Sequence, residues 1–278
     1  MLKLNELNRN LLIRIGKAII LAPPLIALVL WERPEPTAVV VHIAVLVALL
    51  EFYWIALRQD PPWVRVVGAV IGLVVSFVWF WLPGRPDLLL AVLVFGTMAA
   101  ATLQLVIFSD ITHAARGAAT MVFGLLYIPL LLTPLALLKR FAEGGDWVLL
   151  VLMVAFFSDT GAYAAGRAFG RRKLYPAVSP GKTVEGALGG LIASFAAAAV
   201  AKLWFMPQLG WLDALLVSVP GGALGQIGDL VESMIKRAYA VKDSGRIIPG
   251  HGGLLDRVDA LLFCGAYVYL YARYIFFA

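Results

Sequence analysis

The chain has 278 residues, of which 62% are hydrophobic and only 14% charged, and its net charge is +6. A soluble domain is about 45–50% apolar and about 25% charged, so a water-soluble globule is excluded. The same figures, with a single cysteine, exclude disordered and disulfide-scaffold classes. What fits is an all-α integral membrane protein.

Residues 1–17 read either as an amphipathic segment lying on the membrane surface, because Leu4, Leu7, Leu11 and Ile15 recur at helical spacing, or as a frayed tail. No small-residue cleavage site closes the apolar stretch that follows, so a cleaved signal is not expected. A membrane-crossing helix needs about 20 mostly apolar residues. Nine such spans are predicted, at 18–31, 37–57, 66–84, 88–108, 116–138, 147–169, 185–207, 212–233 and 259–277. The first carries Pro23 and Pro24 and is expected to be kinked or re-entrant. The eighth carries Pro220-Gly221-Gly222 and is expected to break near its middle. A β-barrel is disfavoured, since the apolar runs lack period-two alternation.

Nine spans place 17 of the 23 Lys and Arg residues on the side of the N-terminus and 6 on the other. The positive-inside rule then puts the N-terminus and the two long basic loops in the cytoplasm and the C-terminus outside. Cys264, in the last span, is read as a packing residue.

Charge is distributed unevenly. Residues 61–108 hold three charges (Arg65, Arg85 and Asp87), while 159–259 hold 19 of the chain's 40. This divides the chain into the surface segment 1–17, a transmembrane scaffold over 18–146 and a catalytic transmembrane region over 147–278. Acids inside apolar spans are functional candidates when they have partners.

Three polar blocks stand out in the second half. In the first, Asp159, Tyr163, Gly166 and Gly170 share one helix face, and Arg167 follows. In the second, Ser179-Pro180-Gly181-Lys182-Thr183 precedes Glu185 and Gly186. Pro180 and Gly181 are expected to turn the chain, and Lys182 and Thr183 to open a helix whose N-terminus suits a phosphate. A P-loop is rejected, because position 176 is proline where the upstream glycine is required. The bland alternative is a helix that Thr183 merely caps.

The third block places Asp229, Glu232, Ser233 and Lys236 on one helical stripe and Asp256 and Asp259 at the start of the last span. Between them lie Lys242, Asp243 and the run Gly250-His251-Gly252-Gly253. Carboxylates and hydroxyls without a Cys/His cluster favour a hard cation such as Mg²⁺ over zinc. Magnesium usually implies phosphates in the same site.

The stretch from Ser233 to Asp259, with Lys236-Arg237, Lys242-Asp243, His251-Gly252-Gly253 and Asp256-Arg257-Val258-Asp259, resembles the signature of the phosphatidate cytidylyltransferase (CDP-diacylglycerol synthase) family. The blocks around Asp159 and Lys182 are similar to that family as well. The likeness covers about 158–260, and the first five spans match only in length and hydrophobicity.

The resemblance implies that CTP and phosphatidate give CDP-diacylglycerol and pyrophosphate at the cytoplasmic membrane, in phospholipid biosynthesis. It implies Mg²⁺ held by Asp229 and Asp256, a second cation such as K⁺, and a homodimer. Asp229, Asp256, Lys236, Arg237, Lys242 and Asp243 are then the catalytic candidates. Asp159, Tyr163, Arg167, Ser179, Lys182, Thr183, Glu185, Ser233, His251, Gly252, Gly253, Arg257 and Asp259 are the substrate-binding candidates. The rival readings are a CDP-archaeol synthase-like enzyme, a CTP-dependent lipid kinase and a secondary transporter. The transporter should show two related halves, and none is visible.

Overall fold

Three prolines open the first three long helices. Proline suits the first helical position, where its missing N–H costs nothing. The computed structural model describes residues 23–107, 110–245 and 252–278. The surface segment 1–17 and His251 lie outside the described residues. So does the start of the expected first span, which is described only from residue 23 and contains helix α1 over 23–30.

Helices α2 (Pro34–Ala56), α3 (Pro62–Trp81), α4 (Pro86–Ile107), α5 (Ile111–Leu138) and α6 (Gly144–Phe169) follow in order. A short antiparallel hairpin, β1 (Lys173–Tyr175) with β2 (Ser179–Thr183), separates α6 from α7 (Val184–Trp204). Helices α8 (Trp211–Ala238) and α9 (Leu255–Tyr271) complete the bundle, and α9 continues as a π-helical turn over Ala272–Phe276. Among the described residues, the seven helices α2 to α8 are each long and apolar enough to cross a membrane. The protein is an all-α, multi-pass membrane protein.

The connections divide the bundle into two ends. The α6–α7 hairpin, the α8–α9 loop, the α2–α3 turn and the α4–α5 junction share one end, here the polar end. The far end collects the remaining turns. There the Lys139 ammonium donates to the carbonyls of Val29 (2.8 Å) and Trp31 (2.7 Å), and burial holds its pKa below the usual lysine range.

Two styles of packing build the core. In the first, glycines make room for large side chains. Gly68 and Gly124 face the Tyr53 ring, whose hydroxyl donates to the Met121 carbonyl at 2.8 Å, and Gly72 faces Leu49. In the second, glycines bring backbones together. Gly161 of α6 lies against Ala193 of α7, Gly189 of α7 lies against Ala165 of α6, and Gly166 meets Gly186. Small residues at such spacing let membrane helices approach closely. On the other side of α8, Gly225 and Gly228 sit against the backbone of Ala260 and Asp259 in α9.

Two local expectations are corrected. Helix α8 runs unbroken from Trp211 to Ala238, with Pro220 inside it. Proline leaves the carbonyl four residues earlier without its helical donor. That carbonyl belongs to Leu216, and the Tyr267 hydroxyl of α9 donates to it at 2.7 Å. The neighbouring helix thus supplies the missing bond, and the helix continues. The second correction concerns Ser179–Thr183, which is strand β2 rather than a turn and the start of a helix. Its ends pair with β1, Thr183 opposite Lys173 and Ser179 opposite Tyr175, and the register shifts between them, so Pro180 and Gly181 fall in the irregular stretch of the strand. Helix α7 begins one residue after Thr183, whose hydroxyl accepts from the Gly186 N–H at 3.1 Å.

Candidate active site at the polar end

The polar end holds an open cavity of about 440 Å³ between α6, the hairpin, α7 and α8. Asp159, Tyr163, Arg167, Ser179, Lys182, Thr183 and Asp229 all line it, so three separate stretches of sequence converge there. Asp159 lies ten residues before the end of α6, a depth of about 15 Å at 1.5 Å per residue. The helical stripe predicted from Asp159 therefore reaches the cavity through Tyr163 and Gly166. It ends at Gly170, which is the C-cap of α6.

Lys182 Nζ and Asp229 Oδ2 pair across the cavity at 2.7 Å. The Ser233 hydroxyl, one turn along α8, donates to Asp229 Oδ1 at 3.4 Å. Arg167 donates to the Tyr163 hydroxyl at 3.2 Å, which sets a guanidinium at the rim. Glu185 does not line this cavity. Its carboxylate accepts from the backbone N–H groups of Arg171 (3.0 Å) and Arg172 (3.2 Å) and pins the base of the hairpin. Gln226 lines the cavity and lay outside the sequence-based candidates. Its amide donates to the Ser158 hydroxyl (3.2 Å) and the Ala187 carbonyl (3.1 Å), joining α8 to α6 and α7.

A second group of charges lies where α8 meets the start of α9. Lys236 Nζ sits 2.5 Å from Glu232 Oε2 and 2.7 Å from Asp256 Oδ1. The other Asp256 oxygen accepts from the N–H groups of Ser244 (2.9 Å) and Gly253 (2.8 Å). Gly252 has φ +77°, a left-handed conformation that glycine adopts freely, and a Cβ there would press on that same Asp256 oxygen. Asp259 follows one turn later. Its side chain accepts from the Ala260 N–H at 2.8 Å, and its carbonyl faces Gly228.

Of the remaining candidates, Arg237 and Arg257 are exposed near this group. Lys242 and Asp243 line a separate cavity of about 440 Å³ with Trp54 and Arg58.

Glu51, in the scaffold half, completes the arrangement. Only 4% exposed, it accepts from the Ser244 hydroxyl (3.2 Å) and from the N–H groups of Leu254 (3.0 Å) and Leu255 (2.8 Å). Its sequence signal was present: it is the one Asp or Glu between residues 37 and 57, deep in an apolar run. It meets the rule applied to Asp159, although it lies in the region read as scaffold.

The electrostatics favour a cation. Glu232 is 1% exposed, and neither of its carboxylate oxygens has a hydrogen-bond partner of good geometry among the described residues. Glu232 and Asp256 are two carboxylates flanking one ammonium, Lys236. The donors are hard oxygens, which suits magnesium. Among the described residues no three Asp, Glu, His or Cys side chains gather closely enough to cage an ion by themselves.

A sequence model of the cytidylyltransferase family matches residues 12–275. The chain belongs to that family. It is 46% identical over 122 residues to a phosphatidate cytidylyltransferase of Staphylococcus saprophyticus, and 43% identical over 126 residues to one of Bacillus subtilis. It is 45% identical over 123 residues to one of Staphylococcus aureus. These matches take in 44–45% of this chain and 47% of each relative. The chain thus spans about half the length of the curated relatives it matches. Family membership accounts for cavity residues and signature residues occupying one end of the bundle.

Proposed function

We propose that this member of the cytidylyltransferase family transfers the cytidylyl group of CTP to phosphatidate, giving CDP-diacylglycerol and pyrophosphate. The observation that carries the reading is the pairing of two lysine–carboxylate sets, Lys182–Asp229 and Lys236–Asp256, at one end of a membrane bundle. The relatives' names supply the reaction. An oxygen of the phosphatidate phosphate attacks the α-phosphorus of CTP, and the bond from that phosphorus to the bridging oxygen breaks. Pyrophosphate then leaves. A phosphate monoester is already largely dianionic at neutral pH, with a second pKa of about 6, so the step requires no general base. It requires positive charge between two anions and an in-line geometry.

Lys182, on the rigid hairpin strand, and Arg167, at the rim, are positioned to neutralise phosphate oxygens in the open cavity. Lys236 is held by its two acids. Lys242 is exposed at the neighbouring cavity, with Arg237 nearby. Asp229 and Asp256 are the residues that would hold Mg²⁺, with K⁺ as a possible second cation. Magnesium, when bound, screens the triphosphate and the departing pyrophosphate.

The substrates also fit the architecture. Phosphatidate stays in the bilayer, because each exposed CH₂ costs about 0.8 kcal/mol, and CTP stays in water. A site at a polar end, open between helices, serves both. More of the described Lys and Arg residues lie at that end than at the other, which supports a cytoplasmic orientation for it. In this reading the protein sits in the bacterial inner membrane with its C-terminus outside. A homodimer is part of the same reading.

The test is purified protein in detergent with labelled CTP, Mg²⁺ and phosphatidate. Formation of CDP-diacylglycerol and pyrophosphate, abolished in Asp256→Asn, supports the proposal. Release of CDP with a newly phosphorylated lipid would instead make it a lipid kinase. Full activity in both Asp229→Asn and Asp256→Asn would remove the metal assignment.

A further inference from the structure

Glu51 lies five residues before the end of α2, far from the signature in sequence. A buried acid in an apolar helix is expensive unless its charge is satisfied. Among the described residues, the hydrogen bonds that satisfy it come from the segment around Asp256: the Leu254 and Leu255 N–H groups and the Ser244 hydroxyl. The first N–H groups of a helix have no partner within it. The residue at the N-cap of α9, Leu254, makes no capping hydrogen bond with its side chain. Glu51 performs that task from another helix, and its charge faces the positive end of the α9 dipole.

The same contacts reach Asp256. Ser244 gives its hydroxyl to Glu51 and its N–H to Asp256 Oδ2, and its hydroxyl accepts from the Asp256 N–H at 3.3 Å. Two glycines leave no spare room around the carboxylate, since a Cβ at Gly245 or Gly253 would collide with a Glu51 oxygen.

We infer that Glu51 is a positioning residue for cytidylyl transfer: through Ser244 and the N-terminus of α9 it fixes Asp256 opposite Lys236. The inference rests on the proposed activity for its catalytic consequence, and on the contacts alone for its structural one. Glu51→Gln keeps the size of the side chain but leaves one acceptor oxygen and turns an NH₂ group toward the same donors. In full-length protein in detergent, kcat should fall about 10–100-fold, the range for residues that orient a ligand. KM for CTP should stay close to that of the parent. Amide hydrogen exchange over 244–256 should quicken at least about tenfold while α5 is unchanged, because local opening is read separately from global unfolding. Glu51→Asp, which keeps both oxygens, should recover part of the rate. If Glu51→Gln does not fold, Ser244→Ala should give the same pattern with a smaller loss.

Unchanged exchange over 244–256 overturns the inference. So does an unchanged kcat in active enzyme, or a loss that only tracks the amount of folded protein. If the parent protein makes no CDP-diacylglycerol, the proposed activity falls, and the exchange measurement still decides whether Glu51 anchors the segment.

Discussion

The two halves of the bundle use buried polar residues in opposite ways. In α2–α5, apart from Glu51, two clusters draw most of their partners from within that half. The His42 ring stands 2.9 Å from the Ser76 hydroxyl, which lies 2.7 Å from Thr133, while the Trp81 N–H donates to the other ring nitrogen at 3.2 Å. That donation makes His42 neutral with its proton on Nδ1, and the chain of bonds ends inside the protein. Asp60, 3% exposed, is likewise enclosed. His113 and Gln104 take its two oxygens, and Arg65 caps the turn by donating to the carbonyls of Leu57, Arg58 and Asp60. In α6–α9 the polar groups border open space, and Lys182, Asp229 and Asp159 face a cavity rather than a complete set of partners. Residues of the same chemical kind lock helices together in one half and, in the proposed function, meet phosphates in the other. The difference is whether the network closes.

The glycines divide the same way. Those of the first half accept the rings and branches of Tyr53 and Leu49, which can shift. Those of α6 and α7 touch carbonyls and Cβ atoms, which cannot. The close α6–α7 contact carries the hairpin with Lys182 against the cavity.

Substitutions can break this contrast or sharpen it. The largest effect is expected for Asp256→Asn, which removes a charge from the cluster around Lys236. CDP-diacylglycerol formation should fall by at least about 10²-fold, measured as initial rate per folded protein. Gly189→Val forces a branched side chain onto Ala165 and should destabilise by about 1–3 kcal/mol. Thermal unfolding in detergent would show this, with cavity function lost in parallel. Ser76→Ala leaves His42 and Thr133 short of a partner and should lower stability by about 1 kcal/mol. Activity per folded molecule should stay at the parental level, and a specific loss of kcat there would break the contrast between the halves. The smallest effect is expected for Tyr267→Phe, which strips the donor from the Leu216 carbonyl. About 0.6 kcal/mol is the typical worth of such a bond between membrane helices. Denaturant titration together with infrared amide bands would detect both the loss and a loosened helix at Pro220.

Much of the site was legible because its residues follow local rules. Asp159 and Tyr163 share a face at a spacing of four, and Asp229, Ser233 and Lys236 do so at four and seven, so helical periodicity brought each set together before any fold was known. The signature stretch was legible because its spacing is long and specific. What was not legible depends on contacts between distant segments. No local pattern in α8 reveals that Tyr267 will serve the carbonyl freed by Pro220. Nothing next to Lys182 reveals that Ser179–Thr183 will pair with β1. Glu185 is at an ordinary N-terminal helix position, and only the folded hairpin shows that backbone amides occupy its carboxylate. Glu51 met the criterion used for the other acids, but its partners lie about 200 residues away, beyond the reach of any sequence window.

The same separation has a consequence for biogenesis. Helix α2 is synthesised well before α9. Until α9 arrives, Glu51 has no amides to receive and Asp256 has not been made, although the hairpin and Lys182 are already in place. The nascent protein can therefore hold Lys182 and Asp229 before Asp256 exists. Assembly of the Asp256 cluster is tied to insertion of α9, about 200 residues after the helix whose Glu51 anchors it.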